Sequence, residues 1–411
     1  MKKCLSLIIC AVMLFQFTCP ASAKRVVKEN ENIQVNLPVA VTQGSHDKSN
    51  LPVAVKAAAA VLMDAKSGEI LMEFNPDVKL FPASVTKIMT ILLVCEAIDN
   101  KKINFTDKVS CSANAASKGG SQIWLEEGES MTVDELFRAT VIGSANDAAT
   151  LLGEYVAGSE TAFIDMMNKR AIELGMKNTH FENATGLDDA TDTHLTTARD
   201  IAIMSKEVLK YEFVTDYTTV WMDSLRNGET ELVNTNKLVR FFSGTTGLKT
   251  GTTAKAGCCV SATAERDGLH LIAVVMGSDT SSDRFETAKA MLNWGFSNYS
   301  SIAPEVDTAG IGEVNVIGGK DEKVGVSVPE ILPLLIKKGE EDSIKTEVKI
   351  ADSVEAPVEK GQTLGSVKVI SDEKVICEYK LTASNEVEKL SVFDCLKKLI
   401  NFIANGEKAC L

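Results

Sequence analysis

Three short segments of this chain carry residues that together could run acyl transfer through a serine. In chain order they are Ser84-Val85-Thr86-Lys87, Ser144-Ala145-Asn146 and Lys249-Thr250-Gly251. This chemistry needs a nucleophile beside a base, a second group that passes the proton on, and a cation that holds an anionic substrate. The three segments supply a hydroxyl near an amine, a second hydroxyl with an amide, and a lysine. They predict one site assembled from three separate parts of the chain.

The first pattern, a serine three residues before a lysine, occurs at two further places. Ser45 and Ser371 also have a lysine at that spacing, but they lie in a predicted linker and a predicted β domain. Ser84 stands near the start of a predicted helix, where this spacing puts its hydroxyl and the Lys87 amine on one face. The helix N-terminus also favours developing negative charge. We therefore predict Ser84 as the nucleophile and Lys87 as its base.

The second pattern is also duplicated, as Ser112-Ala113-Asn114. That copy falls in a predicted loop, whereas Ser144 and Asn146 lie between two predicted helices. The position between helices favours Ser144 and Asn146 as the functional copy.

Lysine acts as a base only when neutral, so the site must lower the pKa of Lys87 from about 10.4. Burial and a nearby positive charge would both do this, and Lys249 is the predicted source of the charge. Thr250 and Thr252 could hold a carboxylate, and Gly251 between them permits close approach of a ligand backbone. The backbone N–H groups of Ser84 and Thr252 could form an oxyanion hole.

The hydrophobic pattern predicts the elements that must position these residues. Residues 58–64 and 69–74 form a predicted β-hairpin, and the Lys249 segment, 258–264 and 269–276 form three predicted antiparallel strands. The predicted helices are residues 83–98, 132–142, 148–156, 160–174 and 291–296.

The length of the chain and the changes in residue composition along it divide the 411 residues into five predicted parts. A basic start, a short apolar run and a small-residue end predict a signal peptide at 1–23, with an uncleaved anchor as the alternative. A linker at 24–55 precedes a catalytic domain at 56–302. Short Val- and Ile-rich runs predict a small all-β domain at 303–388. At 389–411, Phe393, Leu396, Ile400 and Ile403 form one apolar stripe of an amphipathic helix, which could rest on a membrane or pack onto the β domain.

Charge and cysteine usage exclude several classes of function. The net charge of −13 argues against a nucleic-acid partner, which usually demands a basic face. Seven cysteines remain after the signal peptide, without paired or framework-like spacing, so neither a disulfide scaffold nor a zinc site is predicted. Cys258 and Cys259 are adjacent in a predicted strand and are interpreted as packing residues whose side chains point to opposite faces. No cofactor or metal is predicted.

Beyond the three motifs, longer segments resemble the low-molecular-mass penicillin-binding proteins that are serine D-alanyl-D-alanine carboxypeptidases, of the peptidase S11 type. The resemblance runs from roughly residue 58 to the C-terminus. It rests on Pro82–Thr90, Gly119–Gln122, Ser144–Ala149 and Thr246–Gly251. It implies a transpeptidase-like α/β domain of the serine β-lactamase/DD-peptidase fold, with an antiparallel sheet and a helical subdomain. A β-rich domain and a membrane-resting amphipathic helix would follow.

The resemblance also implies a reaction. Ser84 would attack the penultimate D-alanine carbonyl of a peptidoglycan stem peptide, the terminal D-alanine would leave, and water would hydrolyse the acyl-enzyme. Lys87 would deprotonate Ser84, Ser144 would relay a proton to the leaving amine, and Asn146 would bind the substrate backbone. β-Lactam antibiotics would acylate the same serine.

The substrate's terminal carboxylate would be held by Lys249 and Thr250 at the third motif. Asp188 and Arg284 match further positions of the family pattern, either as substrate-binding residues or as structural charges. Some members carry a histidine where this chain has Thr252, which predicts a different contact there. The implied location is the outer face of the cytoplasmic membrane.

Three other functions use the same motifs. A class A β-lactamase also needs a glutamate that activates water, and its Glu-x-x-Leu-Asn setting is absent between Ser144 and Lys249. A non-catalytic penicillin-binding sensor or scaffold would keep every motif residue, and so would a D,D-endopeptidase that cuts cross-links. The sequence leaves open whether the substrate is a free stem, a cross-link or a lipid-linked precursor.

Overall fold

The computed structural model describes residues 34–35, 51–307 and 311–405. The predicted signal peptide, most of the predicted linker and the Ser45 segment lie outside the described residues. The strands are β1 (Gln34–Val35), β2 (Ala59–Asp64), β3 (Ile70–Phe74), β4 (Lys108–Ser110), β5 (Ser130–Thr132), β6 (Met222–Leu225), β7 (Thr230–Val233), β8 (Thr245–Thr253), β9 (Gly257–Arg266), β10 (Leu269–Ser278), β11 (Tyr299–Ile302), β12 (Glu313–Ile317), β13 (Lys323–Ser327), β14 (Leu334–Lys337), β15 (Ile344–Ile350), β16 (Ser353–Glu355), β17 (Thr363–Ser371) and β18 (Lys374–Ala383).

The α-helices lie mostly between β3 and β8. They are α1 (Lys87–Asp99), α2 (Ala113–Ala116), α3 (Val133–Val141), α4 (Asn146–Ala157), α5 (Glu160–Glu173), α6 (Ala198–Val208), α7 (Val214–Thr218), α8 (Leu238–Phe241), α9 (Ser281–Asn298) and α10 (Val392–Asn405). Short 3₁₀ turns occupy Ala83–Thr86, Arg226–Gly228 and Glu341–Ser343.

The predicted catalytic domain is built on a five-stranded antiparallel sheet in the order β3-β2-β10-β9-β8. Both faces of this sheet are covered, and successive side chains of a strand point to opposite faces. On β2, Ala59 and Val61 therefore join the core beneath the helical subdomain, while Ala60 and Leu62 join a second core with α9. The helical layer and α9 thus enclose the sheet, with β8 at one edge.

Helix α1 is the centre of the helical subdomain and carries the predicted base, Lys87, at its first position. Its residues from Lys87 to Cys95 are all buried, as expected for a helix that is apolar around most of its circumference. Helices α4 and α6 pack against it. A base on this helix is therefore held in the protein interior.

The C-terminal region is rich in β structure, as predicted. One sheet runs β15-β17-β18-β13-β12-β16, with β1 on β18, and a separate pair joins β11 to β14. Strand β14 links the two regions, because Leu335 packs into the core shared with α9 while Leu334 and Ile336 pack into the core of the β-rich region. The predicted boundaries 56–302, 303–388 and 389–411 stay predictions.

Two predicted helices differ from the observed ones at their N-terminal ends. The helix predicted over 83–98 starts as a 3₁₀ turn and becomes α-helical only at Lys87. The helix predicted over 291–296 extends over Ser281–Asn298, because its polar first turns lack the apolar stripe on which the prediction rested. The Thr280 hydroxyl oxygen accepts a hydrogen bond from the backbone N–H of Asp283, and this cap marks the start of the helix.

Candidate active site

Ser84 lies in the 3₁₀ turn that precedes α1. Ala83, Val85 and Thr86 in this turn are buried, whereas Ser84 is only half-buried. The turn therefore presents the serine hydroxyl toward solvent and keeps its neighbours in the core. The position at a helix start agrees with the prediction, although the turn is tighter than an α-helix.

The Lys87 amine joins the first two motifs. Its Nζ donates hydrogen bonds to Asn146 Oδ1 at 2.5 Å and to the main-chain oxygen of Thr185 at 2.9 Å, and it lies 3.1 Å from Ser84 Oγ, within hydrogen-bond distance. The predicted contact between nucleophile and base is therefore present. Ser371 is on β17 in the C-terminal sheet and takes no part in this arrangement.

The electrostatics of the site keep both lysines below their usual pKa. Burial lowers the pKa of Lys87 well below its usual range, and the charge of Lys249 lowers it further. Burial also lowers the pKa of Lys249 to about 7, with Arg284 adding to the effect. A buried neutral amine beside a serine hydroxyl is able to accept its proton.

Ser144 and Asn146 lie at the turn that leads into α4. Ser144 is 3% exposed and has a φ of +61°, while Asn146 opens the helix. Asn146 is also fixed by the 119–122 segment, since its Nδ2 donates to Gly119 O at 2.6 Å and its N–H donates to Ser121 O at 2.7 Å. Within the described residues, no hydrogen bond engages the Ser144 hydroxyl.

The duplicate of this motif has a structural role. Ser112 caps α2 by accepting a hydrogen bond from Ala115 N, and its hydroxyl donates to Glu154. Asn114 donates to Glu154 and Glu160. The segment forms the start of a short helix rather than the predicted loop, and its side chains bind α4 and the start of α5.

The third motif lies on the edge strand β8, directly beside the serine turn. A Cβ at Gly251 would stand 2.7 Å from Ser84 N and 2.9 Å from Pro82 O. The glycine is therefore required for close approach of the protein's own backbone, whereas the prediction invoked close approach of a ligand. Lys249 is fully buried, and Thr250 donates a hydrogen bond to Thr235 Oγ1 at 2.7 Å.

Arg284 lies on α9 and forms hydrogen bonds with strand β8. Its Nη1 donates to Gly251 O and Thr252 Oγ1, both at 2.9 Å, and to Cys259 O at 3.1 Å. The side chain is 7% exposed. These contacts give Arg284 a role in positioning β8, as expected for a structural charge, and its predicted role in substrate binding stays a prediction.

Asp188 also binds the protein rather than the centre of the site. Its carboxylate accepts a hydrogen bond from the hydroxyl of Thr253, and its main-chain oxygen accepts one from Lys255. It is 3% exposed. These contacts join Asp188 to the end of β8, and its predicted role in substrate binding stays a prediction.

Three groups that support the site were not predicted. Asp147 is fully buried and accepts hydrogen bonds from Ile123 N and Leu125 N, which fixes the loop beside Asn146. Thr185 contributes only a main-chain oxygen, which side-chain patterns cannot reveal. Gly186 has a φ of +85°, and a Cβ there would stand 1.8 Å from the main-chain oxygen of Ala83; the Asn-x-x-Gly spacing before it was the available turn signal.

A buried histidine lies behind the nucleophile turn. His194 Nδ1 accepts a hydrogen bond from Glu182 N, so its Nε2 carries the proton and donates to Thr86 Oγ1 at 2.8 Å. Burial lowers the pKa of His194 to about 4, which keeps the ring neutral. His194 therefore supports the turn that holds Ser84.

Comparison with known proteins agrees with this geometry. Residues 45–280 match the family described as D-alanyl-D-alanine carboxypeptidase, peptidase S11. The chain belongs to the D-alanyl-D-alanine carboxypeptidase family. Residues 305–389 match a second family, the C-terminal domain of penicillin-binding protein 5. Both the predicted family and the predicted fold class are thereby confirmed.

Relatives of this carboxypeptidase cover most of its length. It is 38% identical to D-alanyl-D-alanine carboxypeptidase DacF of Bacillus subtilis, over 97% of this chain and 98% of that protein. Penicillin-binding protein 5 of Haemophilus influenzae superposes with a TM-score of 0.68 at 30% identity, over 82% of this chain and 99% of the other. Penicillin-binding protein D2 of Listeria monocytogenes, in its ampicillin-bound form, superposes with a TM-score of 0.54 at 32% identity, over 59% and 98%.

The described part of this carboxypeptidase holds no metal-ligand cluster, no membrane-spanning helix and no disulfide. No group of three or more potential metal ligands occurs among those residues. No helix among them is both long enough and apolar enough to span a membrane. The six cysteines within 51–307 and 311–405 are unpaired; all but Cys395 are buried, including Cys258 and Cys259.

Proposed function

We propose that this chain removes the terminal D-alanine from peptidoglycan stem peptides through an acyl-enzyme on Ser84. The single observation that carries the proposal is the fully buried Lys87 amine, 3.1 Å from Ser84 Oγ and with a lowered pKa. The family relationship supplies the substrate class. It favours a carboxypeptidase over a β-lactamase or a non-catalytic sensor.

In the acylation step, neutral Lys87 accepts the hydroxyl proton as Ser84 Oγ bonds to the penultimate D-alanine carbonyl carbon. The carbonyl oxygen takes up the displaced electron pair, and the backbone N–H groups of Ser84 and Thr252 stabilise it. The C–N bond then breaks as the proton passes from Lys87 through the Ser144 hydroxyl to the leaving amine. D-Alanine departs, and an ester remains on Ser84.

Substrate binding uses residues of the second and third motifs. Asn146, already held by Gly119 and Lys87, offers its side-chain amide to the substrate backbone. Lys249 and Thr250 hold the terminal carboxylate from β8, next to Gly251 and Thr252. In the final step, water attacks the ester and releases the shortened stem.

Benzylpenicillin acylation followed by intact mass tests the proposal. Ser84→Ala should abolish the adduct, whereas Ser45→Ala and Ser371→Ala, which remove the other serines of the same pattern, should retain it. A D-alanine release assay on the unaltered protein then separates an enzyme from a sensor. Persistent labelling of Ser84→Ala would overturn the assignment of the nucleophile.

We also propose that the protein is exported and rests on the outer face of the cytoplasmic membrane through α10. The N-terminal sequence pattern supports export. The exposed apolar side chains of α10 support membrane contact, and they are Val392, Phe393, Leu396, Leu399, Ile400 and Ile403. An amphipathic helix of this kind lies in the interface plane rather than spanning the bilayer.

A further inference from the structure

Thr235 is bonded to the second and the third motif, although it belongs to neither. Its backbone N–H donates to the main-chain oxygen of Ile142 at 3.3 Å, two residues before Ser144. Its hydroxyl oxygen accepts the hydrogen bond that Thr250 Oγ1 donates at 2.7 Å. Thr235 therefore connects the chain just before Ser144 with the threonine that is proposed to hold the substrate's terminal carboxylate.

Two buried asparagines fix the backbone on either side of Thr235. Asn234 is 5% exposed, and its side-chain amide donates to two main-chain oxygens of the 218–220 segment, at 3.1 and 2.8 Å. Asn236 is 1% exposed, and its Nδ2 donates to the main-chain oxygen of Gly247, on β8, at 2.7 Å. These anchored neighbours hold the half-buried Thr235 side chain at a fixed place beside β8.

The direction of the hydrogen bond between the two threonines limits what Thr250 can do. A hydroxyl group has one proton to donate and two lone pairs that accept. While Thr250 donates its proton to Thr235, that proton is not available to a carboxylate. Thr250 can donate to the substrate only if the pair reverses and Thr235 becomes the donor. Among the described residues the Thr235 hydroxyl donates no other hydrogen bond, so its proton is available for this.

The reversed pair would form a chain from Thr235 through Thr250 to the carboxylate. Hydrogen bonds in such a chain polarise one another, so the bond to the charged group becomes stronger. Thr250 is only 4% exposed, which leaves water little access to take the place of Thr235. Without the Thr235 hydroxyl, the bond from Thr250 to the carboxylate would lose this support.

We propose that Thr235 is a positioning residue that enables Thr250 to donate a hydrogen bond to the terminal carboxylate of the substrate. This inference rests on the proposed function. It makes Thr235 a determinant of specificity for substrates with a free C-terminal carboxylate, without contact with the reacting atoms at Ser84.

Acylation by benzylpenicillin and by its methyl ester tests the proposal, because the ester has the same β-lactam carbonyl but lacks the carboxylate. Thr235→Val removes the hydroxyl and keeps almost the same side-chain shape. It should slow acylation by benzylpenicillin about tenfold, the loss expected for one hydrogen bond to a charged group, and leave acylation by the ester unchanged. Thr235→Ser keeps a hydroxyl and should restore the preference for the carboxylate.

Thr245→Val is the matched control, because it removes a hydroxyl that bonds β8 to the main-chain oxygens of Leu238 and Phe242 instead. A strand loosened in this way should affect both β-lactams equally. Thr235→Ala gives the same comparison if Thr235→Val does not fold.

Equal slowing of Thr235→Val with both compounds would show a merely structural role and overturn the proposal, as would no slowing with benzylpenicillin. A selective loss in Thr245→Val, or no recovery in Thr235→Ser, would also overturn it. Failure of the unaltered protein to be acylated by benzylpenicillin or to release D-alanine would instead overturn the proposed function.

Discussion

Lys87 and Lys249 must be in opposite protonation states for the proposed reaction, which gives it a defined pH dependence. Lys87 acts as a base only when neutral, so activity is lost as pH falls through its lowered pKa. Lys249 holds a carboxylate only when charged, so kcat/KM is lost as pH rises through about 7 in the free protein. A bound carboxylate raises the pKa of Lys249, so the alkaline limb of kcat should lie at higher pH.

The profile is measured as D-alanine release over roughly pH 5 to 10. Lys249→Arg keeps a charged group throughout this range, so its alkaline limb should move to higher pH even if the rate drops. An alkaline limb that stays in place in Lys249→Arg would show that another group controls it.

Gly186 should be needed for the nucleophile turn. Gly186→Ala places a methyl group 1.8 Å from Ala83 O at a φ of +85°, so the turn must move. We expect the free energy of unfolding to fall by about 2–4 kcal/mol, and acylation of Ser84 to be lost. Urea unfolding and the penicillin adduct measure the two effects.

Gly128→Ala is the matched control, because Gly128 has a φ of +84° and nothing lies within 4 Å of the added Cβ. It should share only the backbone cost, about 1 kcal/mol, and keep normal acylation. If both variants behaved alike, the contact with Ala83 would have no importance for the turn.

At the scale of elements, α9 should control β8 through Arg284. Arg284→Met removes the donors of Gly251 O, Thr252 Oγ1 and Cys259 O, so we expect acylation to slow about tenfold or more. It also removes a charge that lowers the pKa of Lys249. The alkaline limb of kcat/KM should therefore shift to higher pH, an effect that simple destabilisation would not produce.

Lys289→Met offers a control on the same helix, because the Lys289 side chain forms no salt bridge with any described residue. It should keep both the acylation rate and the pH profile. A slow Arg284→Met variant with an unshifted profile would leave only a structural role for that side chain.

The elements that carry the motifs could be predicted, because their apolar periodicity is strong. The hairpin of β2 and β3, the strands β9 and β10 and the helices α3 to α5 follow their predicted bounds within two residues, and the Lys249 segment is a strand as predicted. The 3₁₀ turn at 83–86 could not, because its geometry depends on Gly186 and β8, which are distant in sequence. Likewise, Asp188 and Arg284 have side-chain types that suit either a substrate or the protein, and the sequence does not reveal their contacts with β8.

At the scale of the whole molecule, the two regions share strand β14. Its alternate side chains reach the α9 core and the β core, so the catalytic region and the β-rich region are packed through a common element. The residue composition changes near residue 303, but the sequence does not show that a strand beyond this point returns to pair with β11. Such long-range pairing depends on the folded arrangement of both regions.

At the same scale, helix α10 is the proposed membrane contact of the molecule. Ile403 is 74% exposed, and burying an apolar side chain of this size in a bilayer interface stabilises binding by about 1.5–3 kcal/mol. Ile403→Ser should therefore weaken binding to phospholipid vesicles about tenfold or more in a co-sedimentation assay, with penicillin acylation in solution unchanged. Ile172→Ser changes an isoleucine that is 79% exposed on α5, and it should bind vesicles normally. Equal binding of the two variants would remove α10 as the membrane contact, and the packing of that helix onto the β-rich region would become the better interpretation.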